Sequence, residues 1–163
     1  MIAIELEGAK EIEAKLRSLE KNTQKKIVRK AVREGSRPTH KAAKANALSY
    51  VGGSMGSLLS KNIVLRAAKK QRKGEYRVQV RTKGDVDEFV HITKDGKRHY
   101  IPSAIEYGHA FPGRGGHKGA PKDVPARPFF RSAFDTTKHR AVKLIEREAL
   151  NRIYQYIRYG RMF

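Results

Sequence analysis

Cysteine is absent from the 163-residue sequence. That excludes disulfides, thiolate zinc sites and cysteine nucleophiles together, and agrees with a reducing compartment. No apolar run approaches the roughly 20 residues that a membrane-spanning helix needs. The N-terminus, Met1-Ile-Ala-Ile-Glu5, lacks the pattern of a signal peptide. A soluble protein that does not leave the cell by that route is expected, with no membrane partner. Acidic residues are also scarce: 16 Asp and Glu stand against 36 Lys and Arg, a formal charge of +20. A field of that sign attracts polyanions, nucleic acid being the commonest, or is neutralised by acidic neighbours in an assembly.

The patterns that carry catalysis are missing too. His91 and His99 flank Asp95-Gly96 and count out as neighbours across a hairpin, and with Asp87 or Glu88 they offer the best arrangement for a metal. Yet there is no His-x-Glu and no His-Glu-x-x-His, so exposed cross-strand pairs are the simpler reading. Phe111-Pro-Gly-Arg-Gly-Gly116 looks superficially like a phosphate-cradling loop but lacks the Gly-Lys-Ser/Thr ending. Gly52-Gly-Ser54-Met-Gly56 has the Gly-x-Ser-x-Gly spacing, but it follows the helical pattern of 40–48 and not a strand, so it is not read as the setting of a serine nucleophile. Neither cofactor, metal nor small-molecule substrate is expected.

What is present is periodicity. Ile2, Ile4 and Leu6 alternate as in a short strand, and Gly8 ends it. From Ala9, Ile12, Leu16, Leu19, Thr23, Ile27, Ala31 and Gly35 step by three or four, which predicts a surface helix with one narrow apolar stripe. Pro38 predicts a break or a kinked continuation through the alanine-rich 40–48. A single helix of about 35 residues would measure about 50 Å, longer than such a domain can cover. Residues 49–60, rich in Gly and Ser, read as a loop or one short helical turn around Met55, Leu58 and Leu59. Ile63–Ala67 and Tyr76–Arg81 read as a hairpin with a cationic tip, Lys69 to Gly74, and with Tyr76, Val78 and Val80 inward. Residues 86–93 and 97–101 flank Asp95-Gly96, the strongest hairpin signal in the chain. Residues 102–106 can form one helical turn ending near Gly108. A last helix carries Phe130, Phe134, Ala141, Leu144, Ile145, Ala149, Ile153 and Tyr156 at helical spacing. The fold class that follows is α+β in a single domain, residues 1–163: an antiparallel sheet of four to five strands against two long helices.

The chain turns on 105–134. Ile105-Glu-Tyr-Gly108 leads into Phe111 to Lys122, where four glycines, two prolines, two lysines, an arginine and a histidine leave only Phe111 and Ala120 apolar. That composition cannot offset its own ordering entropy, so 109–126 is read as a flexible loop that orders against a partner. Pro125-Ala-Arg-Pro128-Phe-Phe-Arg-Ser-Ala-Phe134 then opens the last helix, with Pro128 suited to its first turn. Phe130 and Phe134 are expected to face the core and Phe129 a neighbour. Glu106 can bond backbone N–H groups of the turn, or pair with Arg127 or Arg131.

Glu106-Tyr107-Gly108 followed by the Pro128-Phe-Phe-Arg-Ser-Ala-Phe134 helix start resembles the tail-completion, or head-to-tail joining, family of long-tailed bacteriophages. That family also begins with a long basic helix followed by antiparallel strands. Its Pro-x-x-x-Gly-x-Leu-x-x-Ser element is matched here by Gly56 and Leu58 without the proline. The resemblance implies a non-enzymatic virion protein of the neck or tail, assembled in the host bacterial cytoplasm. It implies a ring, commonly of six copies, that contacts tail-tube or head-completion proteins and surrounds the passage of DNA. On that reading Glu106, Tyr107, Gly108, Arg127, Pro128, Phe130, Arg131 and Phe134 form the structural turn and its anchors. Phe111, Pro112, Arg114, His117, Lys122 and Phe129 become candidate subunit contacts. Lys69, Lys70, Arg72, Lys73, Arg114 and Lys118 become candidate DNA or lumen contacts, without base reading. The alternative is a free, basic, nonspecific nucleic-acid-binding protein.

Overall fold

Apolar residues at three- and four-residue steps wind the N-terminal part of the chain into helices. The structure, a computed structural model, describes residues 9–17, 19–69, 71–72, 75–111 and 122–160, with only the backbone at 9, 110, 111, 122 and 123. The alternating segment expected at Ile2–Leu6 lies outside these residues. Helix α1 (Ala9–Arg17) carries the i,i+4 ion pairs Lys15–Glu11 and Arg17–Glu13. The Glu11 hydrogen bond first, and the Tyr154 hydroxyl second, hold the Lys15 ammonium above its ordinary pKa. Helix α2 (Lys21–Gly35) buries Thr23, Ile27, Ala31 and Gly35, every fourth residue along one ridge.

The helical stretch read from the stripe is divided between Arg17 and Lys21 and again at Ser36, two residues before the Pro38 where a break or a kinked continuation was expected. Helix α3 (Arg37–Asn46) follows at once. Pro38 lies in its first turn, where a missing N–H is no loss, whereas a continuous helix would set the ring against the carbonyl of residue 34. The Ser36 N–H and hydroxyl both donate to the Val32 carbonyl and close α2, at 3.0 and 2.7 Å.

The Gly/Ser-rich stretch is helical rather than a connector. A π-helical turn, Ala47–Val51, leads to α4 (Gly53–Asn62). Burial of Leu59, together with half-buried Met55 and Leu58, overrides the poor propensity of the glycines and serines.

Among the described residues the strands pair as three two-stranded sheets, not as the single sheet of four to five strands expected. Strand β1 (Ile63–Ala67) pairs with β2 (Val78–Thr82). Bonds from Ala68 N–H to Arg77 O and from Lys83 N–H to Asn62 O, at either end, make that pair antiparallel. Strands β3 (Val90–Ile92) and β4 (Arg98–Tyr100) are antiparallel, with His91 opposite His99. Thr93 N–H to Lys97 O and Gly96 N–H to Thr93 O, both 2.9 Å, close the expected Asp95-Gly96 turn. This ribbon cannot join β1–β2 as a layer against helices, because Arg98, His99 and Tyr100 are all exposed and Ile92 is 62% exposed. A buried face is what stacks sheets on helices. The 3₁₀ turn Asp87–Phe89, its Phe89 fully buried, also ends extended structure ahead of β3.

Helix α5 (Ile101–Tyr107) is followed by β5 (His109–Phe111), antiparallel to β6 (Lys122–Val124) with Phe111 opposite Lys122, and then by α6 (Phe129–Tyr159). The chain forms two compact units: 1–39, 65–80 and 137–163 in one, 40–64 and 81–136 in the other. The first buries Thr23, Ile27, Ala31, Ala68, Ala149 and Ile153. There α2 and α6 approach so closely that a Cβ on Gly35 would lie 2.2 Å from Ile145 Cγ1 and 2.9 Å from the Ala141 carbonyl oxygen. The second unit buries Ala43, Ala47, Leu59, Ile63, Phe89, Phe129 and Ala133 among its described apolar residues, with Thr82 and Glu106 buried as well.

Candidate functional site

The second unit brings the two halves of the 105–134 stretch together. Pro102, in the first turn of α5, is buried, and Glu106 near the end of that helix is only 6% exposed. A carboxylate is rarely buried without hydrogen bonds. Here Glu106 Oε2 accepts the Phe130 N–H and Oε1 accepts the Arg131 N–H, each at 2.9 Å. These are among the N–H groups that the first turn of α6 leaves without helical partners, and that end of the helix favours negative charge. Glu106 thus caps a helix from a different element. Arg131 contributes its amide, while its guanidinium lies 5.7 Å from the centre of the Tyr107 ring. The Arg127 side chain donates to the Val51 carbonyl at 3.1 Å and its N–H to Ile105 O at 2.8 Å. Gly108 holds φ +76°, and a Cβ there would meet Val124 O at 2.8 Å and the Ala126 amide nitrogen at 3.0 Å, so only glycine fits this crossing. Half-buried Pro128 immediately precedes α6, and Asn46 Nδ2 donates to the Phe129 carbonyl at 3.3 Å.

The anchoring rings differ from the expectation. Phe129 is fully buried with Ala133, Phe130 is half-buried with its ring centre 4.5 Å from that of Phe129, and Phe134 is 37% exposed. Spacing of four holds equally for 129/133 and 130/134, so periodicity alone does not choose the inward face. Phe129 is therefore a core residue, not a candidate subunit contact. The outward rings gather instead. Tyr100, Pro102, Tyr107, Phe130, Arg131 and Phe134 line a shallow depression of about 390 Å³ floored by Glu106. Tyr107 is 67% exposed, and the hydroxyls of Tyr100 and Thr82 share a hydrogen bond.

In the first unit, exposed Lys69 and Arg72 of the expected cationic tip face Lys21, Lys25 and Arg29 of α2 across a groove of about 720 Å³. The α2 cations were visible in the sequence at four-residue steps, but nothing local paired them with residues 69–72. Lys70, Lys73, Pro112, Arg114, His117 and Lys118 lie outside the described residues, and Phe111 and Lys122 are described only as a paired backbone position. Among the described residues, no group of three or more His, Cys, Asp or Glu could hold a metal, and no helix is long and apolar enough to cross a membrane.

The carboxylate of Glu106 is thus engaged in capping, beside an exposed aromatic surface. Residues 10–109 match the family model described as "Bacteriophage HK97-gp10, putative tail-component". The chain belongs to this HK97-gp10-like family and is a tail component of the virion. The match runs from α1 through Glu106-Tyr107-Gly108 and stops short of 125–134. Comparison with curated proteins finds no match, and comparison with solved structures finds none either.

Proposed function

We propose that this tail component is a non-enzymatic joining protein, several copies of which close into a ring, commonly of six, at the head-to-tail junction around the passage of DNA. The observation that carries this reading is the depression beside the Glu106 cap. Tyr107, Phe134 and Tyr100 stand 67, 37 and 38% exposed around it, on a rigid base set by two backbone hydrogen bonds. Clustered exposed aromatics of this kind are characteristic of surfaces completed by another chain. In a closed ring each such contact is heterologous, so one copy's depression receives a different surface of the next.

Native mass spectrometry tests the proposal. The purified chain, alone or with its neighbouring tail proteins, is expected to give a closed oligomer, and Tyr107→Ser with Phe134→Ser to shift it to smaller species while the thermal midpoint holds. A wild-type chain that stays monomeric under both conditions would sink the ring.

A further inference from the structure

We infer that the groove between α2 and residues 69, 71, 72, 75 and 76 binds the phosphate backbone of double-stranded nucleic acid without reading its bases. Lys21, Lys25 and Arg29 stand on one wall, Lys69 and Arg72 on the other. All five are exposed, and none is in an ion pair among the described residues. The one carboxylate in the lining, Glu75, is already held by Arg77 at 2.7 Å. The floor is half-buried Leu16, Val28 and Tyr76, and the Arg29 guanidinium sits 5.7 Å from the Tyr76 ring centre, which fixes one cation at the wall.

Spacing favours a uniform polyanion. Four residues of helix rise about 6 Å, so Lys21, Lys25 and Arg29 form a row about 12 Å long. A duplex presents one phosphate charge per roughly 1.7 Å of its axis, about seven along that row. An acidic protein would have to match the row with carboxylates at fixed places, whereas a duplex meets it in any register. The two amide side chains of the lining, the type that reads adenine, already donate to backbone: Gln24 to Leu19 O at 2.7 Å and Gln71 to Ala68 O at 2.8 Å. This inference takes its setting, a tail component beside DNA, from the function proposed above, but binding requires one copy alone.

The test is fluorescence anisotropy of a labelled mixed-sequence duplex with the full chain over a potassium chloride series. Removing one wall (Lys21→Gln, Lys25→Gln, Arg29→Gln) is expected to weaken binding roughly tenfold or more and to flatten the salt slope by about 0.9 for each phosphate no longer neutralised. Lys69→Gln with Arg72→Gln should act in the same direction from the opposite wall, and keeps the test open if the triple variant does not fold. Arg140→Gln, Lys143→Gln and Arg147→Gln remove the same charge from α6 and should cost much less. Equal weakening in that control, an unchanged slope in the wall variants, or tighter binding of polyglutamate than of duplex would overturn the inference. Oligomers measured on the same samples keep the two proposals apart: duplex binding by a chain that forms no ring sinks only the ring, and a ring that ignores duplex sinks only the groove.

Discussion

Truncating Phe129 to alanine empties a fully buried site and is expected to cost about 3–5 kcal/mol, whereas Phe134→Ala, at a position 37% exposed, should cost less than about 1 kcal/mol. Chemical denaturation of the two variants checks this, and equal costs would return Phe134 to the core. The contrast marks what individual residues disclose in sequence. That Pro128, two phenylalanines and a third ring open a helix was legible, because proline and i,i+4 spacing are local. Which ring turns inward was not, because Glu106, 24 positions before Phe130, sets how the first turn of α6 sits. Glu106 itself stood out as an acid beside a turn glycine, but its partners were backbone amides of a distant helix start, and amides carry no signature in sequence.

Helix α2 shows the corresponding limit for elements. Its buried ridge of Thr23, Ile27, Ala31 and Gly35 was fully readable, yet the ridge gives no sign that Gly35 touches another helix. By propensity alone, Gly35→Ala would stabilise a helix by about 1 kcal/mol. The close approach of Ile145 and the Ala141 carbonyl reverses the sign, and a loss of about 1–3 kcal/mol is expected in thermal or urea unfolding. Measured stabilisation would mean that α2 and α6 pack less closely. The same competition between local and tertiary terms explains α4, where glycines and serines suggested a connector and the burial of Leu59 makes a helix. Strands β5 and β6 lie within 109–126, which read as a flexible loop, whereas β1 to β4 were located to within a few residues and the Asp95-Gly96 hairpin fell where expected. Their union into one sheet failed because β3 and β4 have no buried face, which alternation over three residues is too short to reveal.

For the whole molecule, the legible facts were the mixed α+β class, the excess of positive charge and the phage-tail resemblance, the last now carried by the family match over 10–109. The gathering of that charge into a groove depends on residues about 40 positions apart coming together, and no window of sequence shows it. The stretch between Phe111 and Lys122 offers a prediction on this scale. Its ends are already paired in the β5–β6 ladder. Deleting 113–119 leaves Pro112, Ala120 and Pro121, a three-residue connection of a length that hairpins accept. Thermal unfolding should be unchanged while oligomer yield falls, and a full yield would show the excursion to be idle. The tie between β5 and β6 has a converse use. With both stems fastened, doubling the intervening length adds only about 0.6 kcal/mol of closure entropy, so foreign peptide could be grafted there with little thermodynamic demand on the scaffold that carries it.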